Sequence, residues 1–180
     1  QFSFKESNLQ LNDLKASIDG TFAMVGKDYE DMEFDLKLNA PDTQFKDILS
    51  LVPAMYTADF KDVKTSGTAK LEAYIKGLMH GDSYPAFDVK IIVNDAMFQY
   101  PSLPKAVNNI NVGMAINSKG GSLDNMIIDI SKFRFNLGGN PFSGSLNVST
   151  PMSDPNLKAQ ANGTIDLGMI KDVYPLEKGT

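Results

Sequence analysis

The sequence predicts a mainly β fold: a long, strongly curved antiparallel meander sheet, a β-groove or half-barrel, with one or two short amphipathic helices. Three observations support this prediction. Apolar residues recur at every second position through most of the 180-residue chain, which is the period of a strand with one buried face. Short turn sequences separate the alternating stretches, which favours antiparallel neighbours. Within three extended stretches the alternation slips by one residue.

The three slips occur at polar pairs, namely Asn12 with Asp13, Asn94 with Asp95, and Ser131 with Lys132. A slip of one residue would turn the apolar side chains of a strand towards water. One extra residue, a β-bulge, restores the face and also bends and twists the strand. We therefore expect a bulge at each point, and a curled sheet with a continuous apolar concave surface.

In the N-terminal part, residues 9–24 form one or two predicted strands and residues 26–28 a hairpin turn. Residues 32–39 alternate cleanly and form the next predicted strand, which the sequence Pro-Asp-Thr at 41–43 should close. A short helix follows at 44–52, capped by Asp42 or Thr43 and limited by Pro53. Its apolar residues fall at helical spacing: Phe45, Ile48, Leu49 and Val52.

The rest of the chain continues the alternation between strands and turns. Further strands are predicted at residues 65–75, 87–100, 110–116, 126–137, 142–148 and 157–167. Turns and loops are predicted at residues 77–85, 119–121, 138–141 and 151–155. A helical turn is predicted at residues 169–173.

Residues 1–180 are expected to form a single domain and a piece of a longer chain. A weak internal repeat relates residues 29–56 to residues 140–176. Each copy would consist of a strand, a proline corner and a short amphipathic helix stopped by proline. Stacked units of this kind would extend one continuous surface.

Composition excludes several functional classes. A net charge of -5 without a basic run argues against nucleic-acid binding. Without cysteine there is no thiolate chemistry or cysteine-zinc site.

The titratable side chains offer no clear site either. One histidine, His80, is too few for a His-rich metal site, and we interpret it as an exposed loop residue. The carboxylates of Asp31, Glu33 and Asp35 fit the solvated face of a strand. We find no catalytic motif, and we expect no metal, no cofactor and no enzymatic activity.

The candidate functional surface is the apolar face itself. Eleven residues are assigned to it from alternation alone: Phe34, Leu36, Leu38, Val89, Ile91, Val93, Val112, Met114, Ile116, Phe133 and Phe135. In one interpretation these side chains fill the interior of a closed sandwich or barrel. In the other the sheet is open, and the face holds lipid acyl chains, which need no specific polar partner because each buried methylene contributes about 0.8 kcal/mol.

A resemblance favours the open sheet. Several segments, in order and with similar spacing, resemble the AsmA family of bacterial envelope proteins in its Bacteroidetes branch. These segments are residues 45–56, 59–67, 85–87, 97–104, 107–112, 140–144, 150–155 and 163–167. The resemblance covers nearly the whole chain, although each segment is by itself a loose strand-and-turn pattern.

The resemblance implies a periplasmic location and an N-terminal helix that anchors the longer chain in the inner membrane. It also implies repeated β-grooves that serve phospholipid transport and outer-membrane assembly, and it brings no catalytic or lipid-binding residue with it. The expected partners are lipid acyl chains, the remaining parts of the same chain and the membrane, with no nucleic acid. The alternative is a structural or protein-binding module that offers a sheet edge to a partner.

Overall fold

The computed structural model describes residues 1–51, 63–101, 104–164, 166–170 and 172. These residues contain one nine-stranded antiparallel sheet in which each strand pairs with the next along the chain. Strands make up 72% of the structure, and the sheet does not close into a barrel. The predicted mainly β antiparallel meander is therefore confirmed.

The strands, in chain order, are β1 Phe2–Leu11, β2 Leu14–Val25, β3 Asp31–Gln44, β4 Lys64–Met79, β5 Ala86–Gln99, β6 Val107–Ser118, β7 Met126–Leu137, β8 Asn140–Ser149 and β9 Asn156–Gly163. Two short helices are described, α1 at Phe45–Leu49 and α2 at Leu167–Ile170. Single 3-10 turns at Lys27–Tyr29 and Leu123–Asn125 connect β2 to β3 and β6 to β7.

Two of the three predicted bulges are confirmed. On β5, Val93 pairs with Val112 and Ala96 with Ile110, so three steps along β5 match two along β6. The extra residue lies at Asn94 and Asp95. On β7, Ile130 pairs with Leu146 and Phe133 with Gly144, which places the second bulge at Ser131 and Lys132.

The bulge predicted at Asn12 and Asp13 is wrong, because these two residues form the turn between β1 and β2. Leu11 pairs directly with Leu14, and Asn12 adopts a left-handed backbone conformation with a φ of 52°. Asparagine tolerates this conformation better than most residues. The long N-terminal stretch is therefore two strands, β1 and β2.

Three strand ends also differ from the prediction. The sequence at 41–43 does not close β3, which continues to Gln44 and carries Pro41 and Asp42 in a bulge opposite β4. A bulge is one of the few places in a sheet that accept proline. β4 runs to Met79, into the predicted loop 77–85, and β9 ends at Gly163 rather than at 167.

The predicted helix at 44–52 is α1, which is shorter. Neither Asp42 nor Thr43 is its N-cap: the cap is Gln44, whose backbone N–H donates to Asp47 Oδ2 at 3.2 Å. Thr43 Oγ1 donates to the same carboxylate oxygen at 3.0 Å. Val52 and Pro53 lie outside the described residues. The predicted helical turn at 169–173 corresponds to α2, which starts two residues earlier, and residues 171 and 173 also lie outside.

α1 packs on one end of the sheet and forms the core there. Its buried residue, Ile48, joins a cluster of buried side chains from β2, β3, β4 and β5: Leu14, Ala16, Ala40, Ala69, Leu71, Val93 and Ala96. The β1–β2 turn holds the end of the helix, because Asn12 Nδ2 donates to the Ser50 carbonyl oxygen at 2.7 Å. Among the residues that the structure describes, the buried core is therefore concentrated under α1 rather than spread over the sheet.

Candidate ligand-binding surface

The strand register places all eleven sequence-predicted residues on one face of the sheet. Directly opposed strand residues point to the same side, and the register pairs the apolar residues with one another across β2 to β8. The rows that join them are Phe22–Phe34–Gly77, Gly20–Leu36–Ile75–Phe87, Ile18–Leu38–Ala73–Val89–Ile116–Ile128, Leu71–Ile91–Met114–Ile130, Ala69–Val93–Val112–Phe133–Gly144 and Phe135–Phe142. We call this side of the sheet the apolar face.

The apolar face is covered only at one end in the described part of the chain. Of the eleven candidates, Val93 is fully buried and the other ten are half-buried. Residues at the edges and at the end remote from α1 are exposed: Phe2 at 60%, Met24 at 49% and Leu157 at 64%. The described strands therefore form an open single layer, and not the closed sandwich or barrel of the first interpretation.

Aromatic side chains line two parts of the apolar face. On β1 to β3, the ring of Phe22 is stacked on Phe2 and tilted against Phe34, with ring centroids 6.1 and 5.3 Å apart. On β7 and β8, Phe133, Phe135 and Phe142 form a second stack with centroids 5.0 to 6.2 Å apart.

The second aromatic stack depends on two glycines. A Cβ on Gly144 would lie 2.5 Å from the Phe133 ring, and a Cβ on Gly163 would lie 2.5 Å from the Phe142 ring. The rings therefore lie across positions that no other residue type could occupy without displacing them. This arrangement fixes the aromatic stack at the β7–β9 corner of the sheet.

The opposite side of the sheet is mostly polar, although Leu78, Ile92 and Ile127 are exposed apolar residues on it. Asp35 accepts hydrogen bonds from Lys76 Nζ at 2.9 Å and from the Tyr74 hydroxyl at 3.1 Å, while Lys37 Nζ lies 5.9 Å from the centre of the Tyr74 ring. The hydrogen bond from Lys76, followed by that from Tyr74, lowers the pKa of Asp35. Asp31, Glu33 and Asp35 lie on this side of β3, as the sequence predicted; Glu33 is exposed, whereas Asp31 and Asp35 are half-buried. We call this side the polar face.

His80 is exposed, as expected, but it has a partner that sequence reasoning missed. It lies in the turn after β4, and its Nδ1 is 2.5 Å from Asp31 Oδ1 at the start of β3. The hydrogen bond with this carboxylate, reinforced by charge attraction, raises the pKa of His80. The two residues are 49 positions apart, so no local spacing in the sequence could reveal the contact.

The polar face carries a cleft of about 690 Å³ around Arg134 that sequence reasoning did not single out. Its polar lining includes Asn111, Ser143 and Asn162, with Asp95 at the side. The signal in the sequence is that Arg134 is the only arginine of the chain. A second cleft of about 730 Å³ shares Arg134, Ser143 and Asn162 and continues to Lys132.

The described residues contain no group of three or more histidine, aspartate or glutamate side chains placed to hold a metal ion. Within the same residues, no helix has the length and apolar character needed to cross a bilayer. No protein-family model, curated protein or solved structure matches this chain.

Proposed function

We propose that this protein binds lipid acyl chains on its apolar face and guides them within the cell envelope, in phospholipid transport and outer-membrane assembly. The observation that supports the proposal is the gathering of all eleven candidate residues on one side of an open sheet. A soluble monomer rarely exposes so continuous an apolar surface without a partner for it.

The chemistry of the apolar face suits acyl chains. Each methylene that leaves water contributes about 0.8 kcal/mol, so a chain of a dozen carbons needs no specific polar contact. Methionine adapts to irregular guests because its side chain is unbranched and polarisable, and Met32, Met79 and Met114 lie on this face. The role is non-enzymatic and needs no cofactor.

The resemblance to the AsmA family adds the cellular setting of the proposal. It suggests that the protein acts in the periplasm as part of a longer chain that an N-terminal helix anchors in the inner membrane. The internal similarity between residues 29–56 and 140–176 stays a prediction, and in this setting it would mean that further sheets continue the apolar face.

Two neighbouring isoleucines provide a matched test. On β7, Ile128 lies on the apolar face between Ile116 and Val148, whereas Ile127 lies on the polar face between Asn117 and Ser149. We expect Ile128→Asp to weaken binding of a fluorescent C16 fatty acid about tenfold, because it places a charge in the path of the chain. Ile127→Asp should change binding by less than about twofold.

Far-UV circular dichroism of both variants controls for folding. Equal weakening by the two substitutions, or the absence of saturable fatty-acid binding by the unmodified protein, would contradict the proposal. Native mass spectrometry of the purified protein extends the test to phospholipids carried over from the cell.

A structural module that binds a protein partner is the second candidate. All eight residues of β9 are exposed, and β9 is an edge strand of the described sheet. Such an edge can accept an added strand. Asn156→Lys would place a charge on this edge on the polar side, because Asn156 pairs with Ser149, and should weaken strand addition while fatty-acid binding persists. Loss of in-cell cross-links to a partner, without loss of lipid, would favour this candidate.

A further inference from the structure

Four polar side chains form a continuous row across the polar face, on strands β6 to β9. Asn111 pairs with Arg134, Arg134 pairs with Ser143, and Ser143 pairs with Asn162. Adjacent strands lie about 4.8 Å apart, so the row spans about 14 Å. We call these four residues the polar row. The cleft of about 690 Å³ runs along it, which is within the size range of small-molecule sites.

The guanidinium of Arg134 has no ion pair or hydrogen bond with the described residues, and the side chains of Ser143 and Asn162 likewise have no hydrogen bond with them. Arg134 is exposed, so its charge is accessible to a ligand in the cleft. Asp95 lines the same cleft and is engaged with Asn111 at the end of the polar row: its backbone N–H donates to Asn111 Oδ1 at 3.3 Å, and its Oδ1 accepts from Asn111 Nδ2 at 3.4 Å.

The polar row is held from behind by the second aromatic stack. Arg134 lies between Phe133 and Phe135 in sequence, and Ser143 follows Phe142. These three rings pack together on the apolar face. The backbone that carries the polar row is therefore fixed before any ligand binds, which lowers the entropic cost of binding.

We propose that the polar row binds a sugar that carries one anionic group, a carboxylate or a phosphate. Guanidinium groups pair with both kinds of anion in a bidentate manner. The hydroxyl of Ser143 and the amide of Asn162 can each donate and accept, as sugar hydroxyls require. The amide of Asn111 is already hydrogen-bonded to Asp95 and to the Asn109 carbonyl oxygen, so Asn111 forms the end wall of the row. A bare anion would occupy Arg134 alone and leave the rest of the row unused.

This site lies on the opposite face from the proposed acyl-chain surface, so the two inferences are independent. The neighbouring cleft shares Arg134, Ser143 and Asn162 and adds Lys132 and Gln160. A ligand of more than one sugar ring could therefore extend from the first cleft into the second without crossing the sheet.

The test is a titration of the 15N-labelled protein with glucuronate and with glucose 6-phosphate, while glucose and inorganic phosphate serve as reference ligands. We expect saturable chemical-shift changes at Arg134, Ser143 and Asn162 with at least one charged sugar, and weaker binding of both reference ligands. Arg134→Gln should weaken binding about tenfold or more, as expected for loss of a charge-assisted hydrogen bond. Lys158→Gln, on the same face but outside both clefts, should change it by less than about twofold.

Asn162→Ala separates a sugar site from a simple anion site. It should weaken binding of the charged sugars and leave binding of inorganic phosphate unchanged. Binding of phosphate as tight as that of the sugars, shift changes away from the polar row, or no effect of Arg134→Gln would overturn the proposal. Ile128→Asp should leave sugar binding intact, so failure at either face is distinguishable from failure at the other.

Discussion

Leu71 and Leu78 offer a direct test of how unevenly the two faces of the sheet are buried. Both belong to β4, but Leu71 lies on the apolar face under α1 and is 5% exposed, whereas Leu78 lies on the polar face and is 46% exposed. Truncation of a buried leucine removes its transfer free energy and leaves a cavity, at a cost of about 2–5 kcal/mol. Truncation of a half-exposed leucine without packed neighbours costs less than about 1 kcal/mol.

We therefore expect Leu71→Ala to lower the free energy of unfolding by about 3 kcal/mol and Leu78→Ala by less than about 1 kcal/mol. For a chain of this size, about 3 kcal/mol corresponds to a fall in Tm of roughly 6–12 °C. Urea unfolding followed by far-UV circular dichroism suits the measurement, because the chain has no tryptophan. Equal losses for the two variants would refute the assignment of the faces.

Two further predictions concern the backbone and the exposed histidine. Gly67→Ala should cost more than about 2 kcal/mol in urea unfolding, because Gly67 has a φ of +106° and its Cβ would lie 2.4 Å from Ala96 Cα. Gly81→Ala should cost only about 1 kcal/mol, because Gly81 has a φ of +52° but no atom beyond its chain neighbours lies within 4 Å of the added Cβ. A larger loss for Gly81→Ala than for Gly67→Ala would contradict the register at the β5 bulge. In an NMR titration, Asp31→Asn should return the raised pKa of His80 towards its ordinary value. The His80–Asp31 pair should make its full contribution to stability below about pH 6.5, the pKa of an unperturbed histidine, and lose it as pH rises through the folded-state pKa of His80. An unchanged pKa of His80 in the Asp31→Asn variant would disprove the pairing.

The faces of the sheet could be predicted because the alternation of apolar residues survives at nearly every strand position. Leu36, Ile91 and Met114 could be assigned to a face from their odd or even position in each alternating stretch alone. On the opposite face, an apolar side chain would be exposed to water and a polar one would be buried, each at a cost in free energy. The bulge at Asn94 and Asp95 was predictable for the same reason. Its polar pair interrupts a stretch whose apolar set has to stay on one side.

The turn at Asn12 and Asp13 shows the limit of that reasoning. A two-residue turn and a one-residue bulge both shift the parity of the apolar positions by one, so the pattern around Leu11 and Leu14 fits either. Only the pairing of these two leucines decides between them. The extension of β3 past Pro41 was equally hidden, because a proline that ends a strand and a proline in a bulge look alike in sequence.

The polar row was not predictable from a single strand. Asn111, Arg134, Ser143 and Asn162 are separated by 9 to 23 positions in the sequence, and each is an ordinary polar residue in an alternating strand. Their alignment depends on the registers of three successive strand pairs and on two bulges. Pattern reasoning assigns a face, but not the position of a residue along a neighbouring strand.

Photo-crosslinking at two adjacent positions of β6 tests the central claim most directly. Ile116 lies on the apolar face and Asn117 on the polar face, and each would be replaced in turn by p-benzoylphenylalanine. After incubation with phosphatidylglycerol vesicles and irradiation, mass spectrometry should find acyl chains attached at position 116 and not at position 117. Equal labelling at both positions, or no labelling at 116, would contradict lipid binding on the apolar face.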